Sequence, residues 1–262
     1  MPVYINNDAD LFTYGEALCG ILPKVNAMLK EAGNPKRYKN LVGLTLGTGF
    51  GGGVVSDGML LSGDNSIAGE VWLSSSRTST TMNAEEAVST RAIKREYAHL
   101  AGVSINNAPE PKEIARIARG LSSGNRDAAI ESFYKMGTFL GDVIANLMTL
   151  VDGLVVIGGG IAYEHELIFP AIEEQLNNCF EVNENRIPRM IQTVHNLEDE
   201  SQKQEFLQSS YKTIQWPGIE DSKFNPNPSL AFGVTTLGTR KATAIGAYAY
   251  GLVQMSNGIL SF

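Results

Sequence analysis

Apolar positions fall into two rhythms along the chain. Over residues 11–32, 84–100, 112–119, 126–151 and 241–255 they recur every three or four places, the spacing of helices with one buried face. Compact apolar runs at 41–46, 52–56, 154–157 and 230–237, with shorter ones at 3–5 and 59–61, are bounded by glycine or turn residues and predict strands. Asn6-Asn7-Asp8 is a helix-start signal, and Gly33-Asn34-Pro35 stops the helix that follows. Pro109 and Pro111 separate two later helices. The run 154–157 passes directly into Gly158-Gly159-Gly160 and a helix over 162–180, a strand-turn-helix unit that places the chain in the α/β class. Residues 62–69 and 74–81 read as loops. From 195 to 228 the chain turns polar, with Trp216-Pro217 and Asn225-Pro226-Asn227-Pro228, which predicts an inserted surface excursion. No internal repeat or low-complexity tract is present.

Composition narrows the function. With 262 residues, 43% hydrophobic and 19% charged, the chain can bury a sizeable core. A net charge of −7 argues against a nucleic-acid surface, which needs a basic stripe. No run has the roughly 18 apolar residues of a membrane span, so no membrane partner is expected and the cytoplasm is the default. Cys19 and Cys179 lie far apart and outside any CxxC spacing, which suggests neither a disulfide framework nor a zinc site.

Candidate chemistry gathers around Leu46-Gly47-Thr48-Gly49-Phe50-Gly51-Gly52-Gly53. Glycines let backbone N–H groups approach an anion, and Thr48 adds a hydroxyl, so the turn can cradle phosphate. A plain β-hairpin is the alternative. No Lys-Ser/Thr pair closes the motif and no helix follows it, which disfavours the common nucleotide-binding fingerprints. Asp8, where a strand would give way to a helix, is either an ordinary cap or a catalytic base facing a cleft. Glu70 and Glu86 carry little weight singly, since a lone glutamate is usually solvated.

Taken in order, Asn7-Asp8-Ala9-Asp10, the glycine turn, Gly58-Met59-Leu60 to Gly63, Ala68-Gly69-Glu70, Val156-Ile157-Gly158-Gly159-Gly160 and Leu237-Gly238 to Ile245-Gly246-Ala247 resemble the ROK family of sugar kinases and sugar-responsive transcriptional regulators. The resemblance implies an actin-like, ribonuclease-H-like ATPase architecture, of which residues 34–262 would form the C-terminal α/β lobe. Residues 1–33 would be the remnant of the N-terminal lobe and an interdomain helix. It further implies transfer of the ATP γ-phosphoryl group, with Mg²⁺, to a monosaccharide hydroxyl, and a homodimer. By the same resemblance Asp8 is the base that takes the sugar hydroxyl proton, and Asn7, Glu70 and Glu86 bind neighbouring hydroxyls. Gly47, Thr48, Gly49, Gly51 and Gly52 hold the phosphates, and Gly158, Gly159 and Gly160 let the adenosine approach the backbone. The alternative within the family is the sugar-sensing part of a regulator.

Two departures from the family pattern matter. Leu73 stands where a zinc-binding histidine is usual, and no cysteine lies between Cys19 and Cys179, so no zinc is expected. Family kinases also place a strand with an Asp-x-Gly-x-Thr phosphate loop well before the Asn-Asp segment. A chain beginning at Met1 would therefore carry half of the nucleotide clamp and turn over poorly.

Overall fold

The computed structural model describes residues 3–75, 81–208, 211–215, 218 and 222–259; Trp216-Pro217 and most of the expected 74–81 loop lie outside them. In chain order the elements are α1 (Asp8–Cys19), α2 (Ile21–Glu31), β1 (Leu41–Leu46), β2 (Phe50–Ser56), β3 (Met59–Leu60), α3 (Ala84–Ala87), α4 (Thr90–Ala101), α5 (Pro111–Ala118) and α6 (Arg126–Val151). They continue with β4 (Leu154–Gly158), α7 (His165–Leu176), β5 (Cys179–Val182), β6 (Asn185–Pro188), β7 (Thr193–Asn196), α8 (Glu200–Leu207), β8 (Lys212–Ile214), β9 (Ser222–Phe224), β10 (Ser229–Val234) and α9 (Thr239–Ile259).

One six-stranded sheet runs β3-β2-β1-β4-β10-β7. Strands β1, β4, β10 and β7 are parallel, and β2 and β3 fold back antiparallel. Because side chains alternate across a strand, β1 sends Val42, Leu44 and Leu46 to one face and Leu41 to the other. The first face packs against α4, α5, α6 and α7 through Phe133, Leu140, Ile144, Ile168 and Ile172. The second packs against α1, α2 and α9 through Phe12, Leu22, Val25, Leu29 and Ala242. A helix layer thus covers each side, as a sheet with near-continuous apolar strands requires.

On the second face the backbones come very close. A methyl group placed on Gly43 would lie 2.1 Å from Thr13 Oγ1, so α1 seats in a groove that glycine leaves open. A Cβ on Gly15 would lie 1.9 Å from Ala242 O, and one on Gly246 would lie 1.8 Å from Leu11 O. Helices α1 and α9 therefore touch backbone to backbone.

Five sequence expectations change. Residues 3–5 form no strand; Val3 and Ile5 are exposed, with no strand partner among the described residues. The helix expected over 11–32 starts earlier and breaks at Gly20, where the Glu16 carboxylate accepts the Ile21 N–H (2.7 Å). The helix expected over 84–100 divides at Val88-Ser89, and Ser89 caps the second part. The helix expected over 162–180 is a 3₁₀ turn, Gly160–Glu164, followed by α7, and Cys179 opens a hairpin instead. The excursion expected from residue 195 also begins inside the sheet, because His195 and Asn196 belong to the edge strand β7 and are buried. No helix among the described residues is long and apolar enough to cross a membrane.

Candidate active site

The carboxyl ends of parallel strands in an open α/β sheet face a crevice, because each chain must leave its strand there by a loop. Here those ends lead to Gly47–Gly49 after β1, Gly159 after β4 and Thr239 beyond β10. They border a cavity of about 510 Å³ that Asn7, Asp8, Gly69, Glu70, Trp72, Glu85, Thr239 and Thr243 also line.

Helix α1 delivers its first residues to this cavity. Asn7 Oδ1 accepts the Ala9 N–H (2.8 Å), so Asn7 is the cap. That leaves the Asp8 carboxylate, exposed in the first turn, at the cavity wall. Capping and the candidate base role are thus divided between neighbours.

Glu70 follows Gly69, whose φ of +89° is open to glycine at no steric cost. The Trp72 indole N–H donates to Glu70 Oε2, and Leu73, at the end of that turn, is exposed. The second glutamate that the fold brings to the cavity is Glu85. Its Oε2 accepts the Phe50 N–H (3.3 Å), and its Oε1 meets Arg91 (3.3 Å). Glu86 turns instead onto Arg91 (3.2 Å) and Arg95 (3.3 Å) and is absent from the cavity lining.

The glycines divide into two kinds. Gly51 and Gly52 are packing glycines: a Cβ would meet Ala9 and Thr45 at 2.8 Å on Gly51, and Val71 at 2.5 Å on Gly52. On Gly49 it would come within 2.6 Å of Glu85 Oε2. Gly47 faces open space, and the Thr48 and Gly49 amides have no acceptor among the described residues. Unpaired backbone donors at an open turn suit a phosphate. Thr90 N–H donates to Gly47 O (2.9 Å), fixing the turn from below. After β4, Gly158 is buried against Phe12, and Gly159 donates its N–H to Thr239 Oγ1 (2.7 Å). Gly160 opens onto a second cavity of about 500 Å³ with Pro111, Phe133 and Ile161 in its wall.

Sequence reasoning missed Glu85, Trp72, Thr239 and Thr243. The signal for Thr239 was its place directly after Gly238, between a strand and a helix. Asp10, in the quoted Asn-Asp motif, proves to be buried, with its Oδ1 unpartnered. Burial, and secondarily the charge of Glu70, push its pKa up to about 6.

Known proteins bear directly on this arrangement. The sequence profile of the ROK family matches residues 1–202. The N-acetyl-D-glucosamine kinase of Aliivibrio fischeri is 28% identical over 210 residues, covering 74% of this chain and 62% of that protein. The chain therefore spans a little over three fifths of the length of this relative. The crystal structure of the glucokinase from Parabacteroides distasonis is 41% identical and superposes with a TM-score of 0.88 over 96% of this chain and 69% of that one. A ROK glucokinase from Streptomyces griseus, solved with glucose and AMPPNP, shares the fold at 21% identity, with a TM-score of 0.56 over 94% and 67% of the two chains. The actin-like ATPase fold implied by the motifs is the fold observed, and the chain belongs to the ROK family.

Proposed function

We propose that this chain supplies the sugar site and one phosphate turn of a kinase that phosphorylates a hexose or N-acetylhexosamine at the expense of ATP. The observation that carries the reading is that Asp8, Glu70 and Glu85 share one cavity with the open Gly47–Gly49 turn. ATP supplies the transferable phosphoryl group. The sugar oxygen forms the new P–O bond while the bond from the γ-phosphorus to the ADP oxygen breaks. Asp8 takes the hydroxyl proton as that bond forms. Glu70 and Glu85 accept hydrogen bonds from vicinal hydroxyls, and the Asn7 amide donates to another. Thr48 and Gly49 present N–H groups to phosphate, Thr239 and Thr243 add hydroxyls, and the apolar cavity beside Gly160 takes the adenosine. Three carboxylates so close to polyphosphate call for Mg²⁺ to offset the charge. Use of ATP is compatible with a cytoplasmic location. The kinase relatives named above support this reading over a purely sensory one.

The test uses Trp72 as reporter in a Trp216→Phe background, with glucose and N-acetylglucosamine titrated in turn. One of them is expected to change Trp72 emission saturably. Glu70→Gln should weaken that binding about 10-fold or more, the value of a hydrogen bond to a charged group. Asp8→Asn should leave binding nearly intact while turnover with ATP and Mg²⁺ falls by about 10²–10⁴. Binding of neither sugar, or full turnover by Asp8→Asn, rejects the reading.

A further inference from the structure

Two residues beyond Asp8, α1 carries Asp10, which is absent from the cavity lining. It is 5% exposed, and its Oδ1 has no hydrogen-bond partner among the described residues. An ionised carboxylate in that position is costly, so the site favours the uncharged acid. What Asp10 faces is the backbone that presents Glu70. A methyl group on Gly69 would meet Gly52 O at 3.1 Å, Gly53 Cα at 3.2 Å and Asp10 Oδ1 at 3.3 Å. The Gly69-Glu70 turn is therefore seated on α1 and β2 with no side chain between it and the Asp10 carboxyl. The groups of variable charge nearby are Glu70 on that turn and Asp8 and Glu16 on the same helix. Strand β2 presents only glycine backbone here, and Arg240 and Lys241 at the start of α9 are exposed.

We infer that Asp10 is a positioning residue for Glu70: uncharged, it lets the Gly69-Glu70 turn rest against α1, and ionised, it repels Glu70 and resets the contact between Glu70 and Trp72. The consequence for sugar affinity rests on the proposed role of Glu70, but the coupling itself does not. Burial and the Glu70 charge act in the same direction on Asp10, so its proton is lost near pH 6.

Trp72 reports the coupling without sugar or nucleotide. In the Trp216→Phe chain, emission followed from about pH 4.5 to about pH 8 should show a transition centred near 6. Asp10→Asn, a neutral shape mimic, should abolish that transition while circular dichroism shows the fold retained. Glu70→Gln, which keeps Asp10 and removes the charge it opposes, should move the midpoint down and shrink the amplitude. The second variant also decides the matter if the first does not fold. A transition that survives Asp10→Asn, a midpoint unmoved by Glu70→Gln, or a flat parent profile overturns the inference. Failure of sugar binding would leave all three readouts untouched and would count only against the kinase reading.

Discussion

Gly159 holds a conformation that an L side chain reaches only with strain, φ +89°, and a Cβ there would lie 2.1 Å from Leu46 O. Gly160, one residue on, has open space around the same position. Gly159→Ala should therefore cost about 3 kcal/mol or more and lower the melting temperature by on the order of 10 °C, whereas Gly160→Ala should move it by less than about 2 °C. Calorimetry of the two variants separates a packing glycine from one that faces a cavity. The sequence makes both glycines visible but not their different duties, since the duty depends on what β1 places opposite. The same limit explains Glu85 and Glu86. Successive residues on a helix point about 100° apart, so one step decides whether a carboxylate meets the cavity or a pair of arginines. The place of Asp8 at the cavity wall was legible because a carboxylate beside a capping asparagine at a helix start has few places to go. The burial of Asp10 was not, because it depends on the Gly69 turn, distant in sequence.

Among elements, the break between α1 and α2 does more than end a helix. Glu16 is fully buried and accepts N–H groups from Ile21 (2.7 Å) and Leu237 (3.2 Å) as well as the Thr235 hydroxyl. It thereby ties α1 to the loop that leads from β10 into α9. Glu16→Ala would strand those donors, and a loss of about 3 kcal/mol or more in chemical denaturation is expected, with Glu16→Gln recovering part of it. Periodicity cannot reveal this break, since the apolar spacing resumes in phase on its far side. The break at Ser89 hides in the same way, although it is what points the Thr90 N–H at Gly47 O. The β5–β6 hairpin escaped notice because its turn is Asn183-Glu184, both at positive φ without the glycine that usually announces such a turn. The main strands, by contrast, were readable from their apolar runs, and α6 was placed to the residue by its spacing.

At the scale of the whole molecule, two buried titratable groups oppose each other in the pH dependence of stability. Asp10 has a raised pKa in the fold, so it contributes fully below the ordinary carboxylate range, and that contribution is lost as pH rises through about 6. His195 is buried, and desolvation lowers its pKa, so its contribution is present above the ordinary histidine range and lost as pH falls. Taken together, the two slopes oppose each other: Asp10 loses its contribution as pH rises to about 6 and His195 completes its own only toward the ordinary histidine range, so their sum dips on the mildly acidic side of neutrality. Denaturation across pH should show Asp10→Asn raising stability near pH 7.5 by up to about 3 kcal/mol with little change near pH 3.5, which removes the falling limb of the profile. A profile unchanged by that substitution would mean that other groups govern the curve.

The bond between Glu16 and Thr235 spans 219 residues, and the interlocked glycines of α1 and α9 span a similar stretch. A contact of that reach forms late, because the entropy of closing so long a loop must be met before the contact stabilises anything. During synthesis the segment bearing Asp8 emerges well before α9, yet its seat is incomplete until α9 has left the ribosome. Until then the apolar stripe of α1 is only partly covered and a natural client for chaperones. The cavity wall that the first helix provides is among the last parts of the protein to be built.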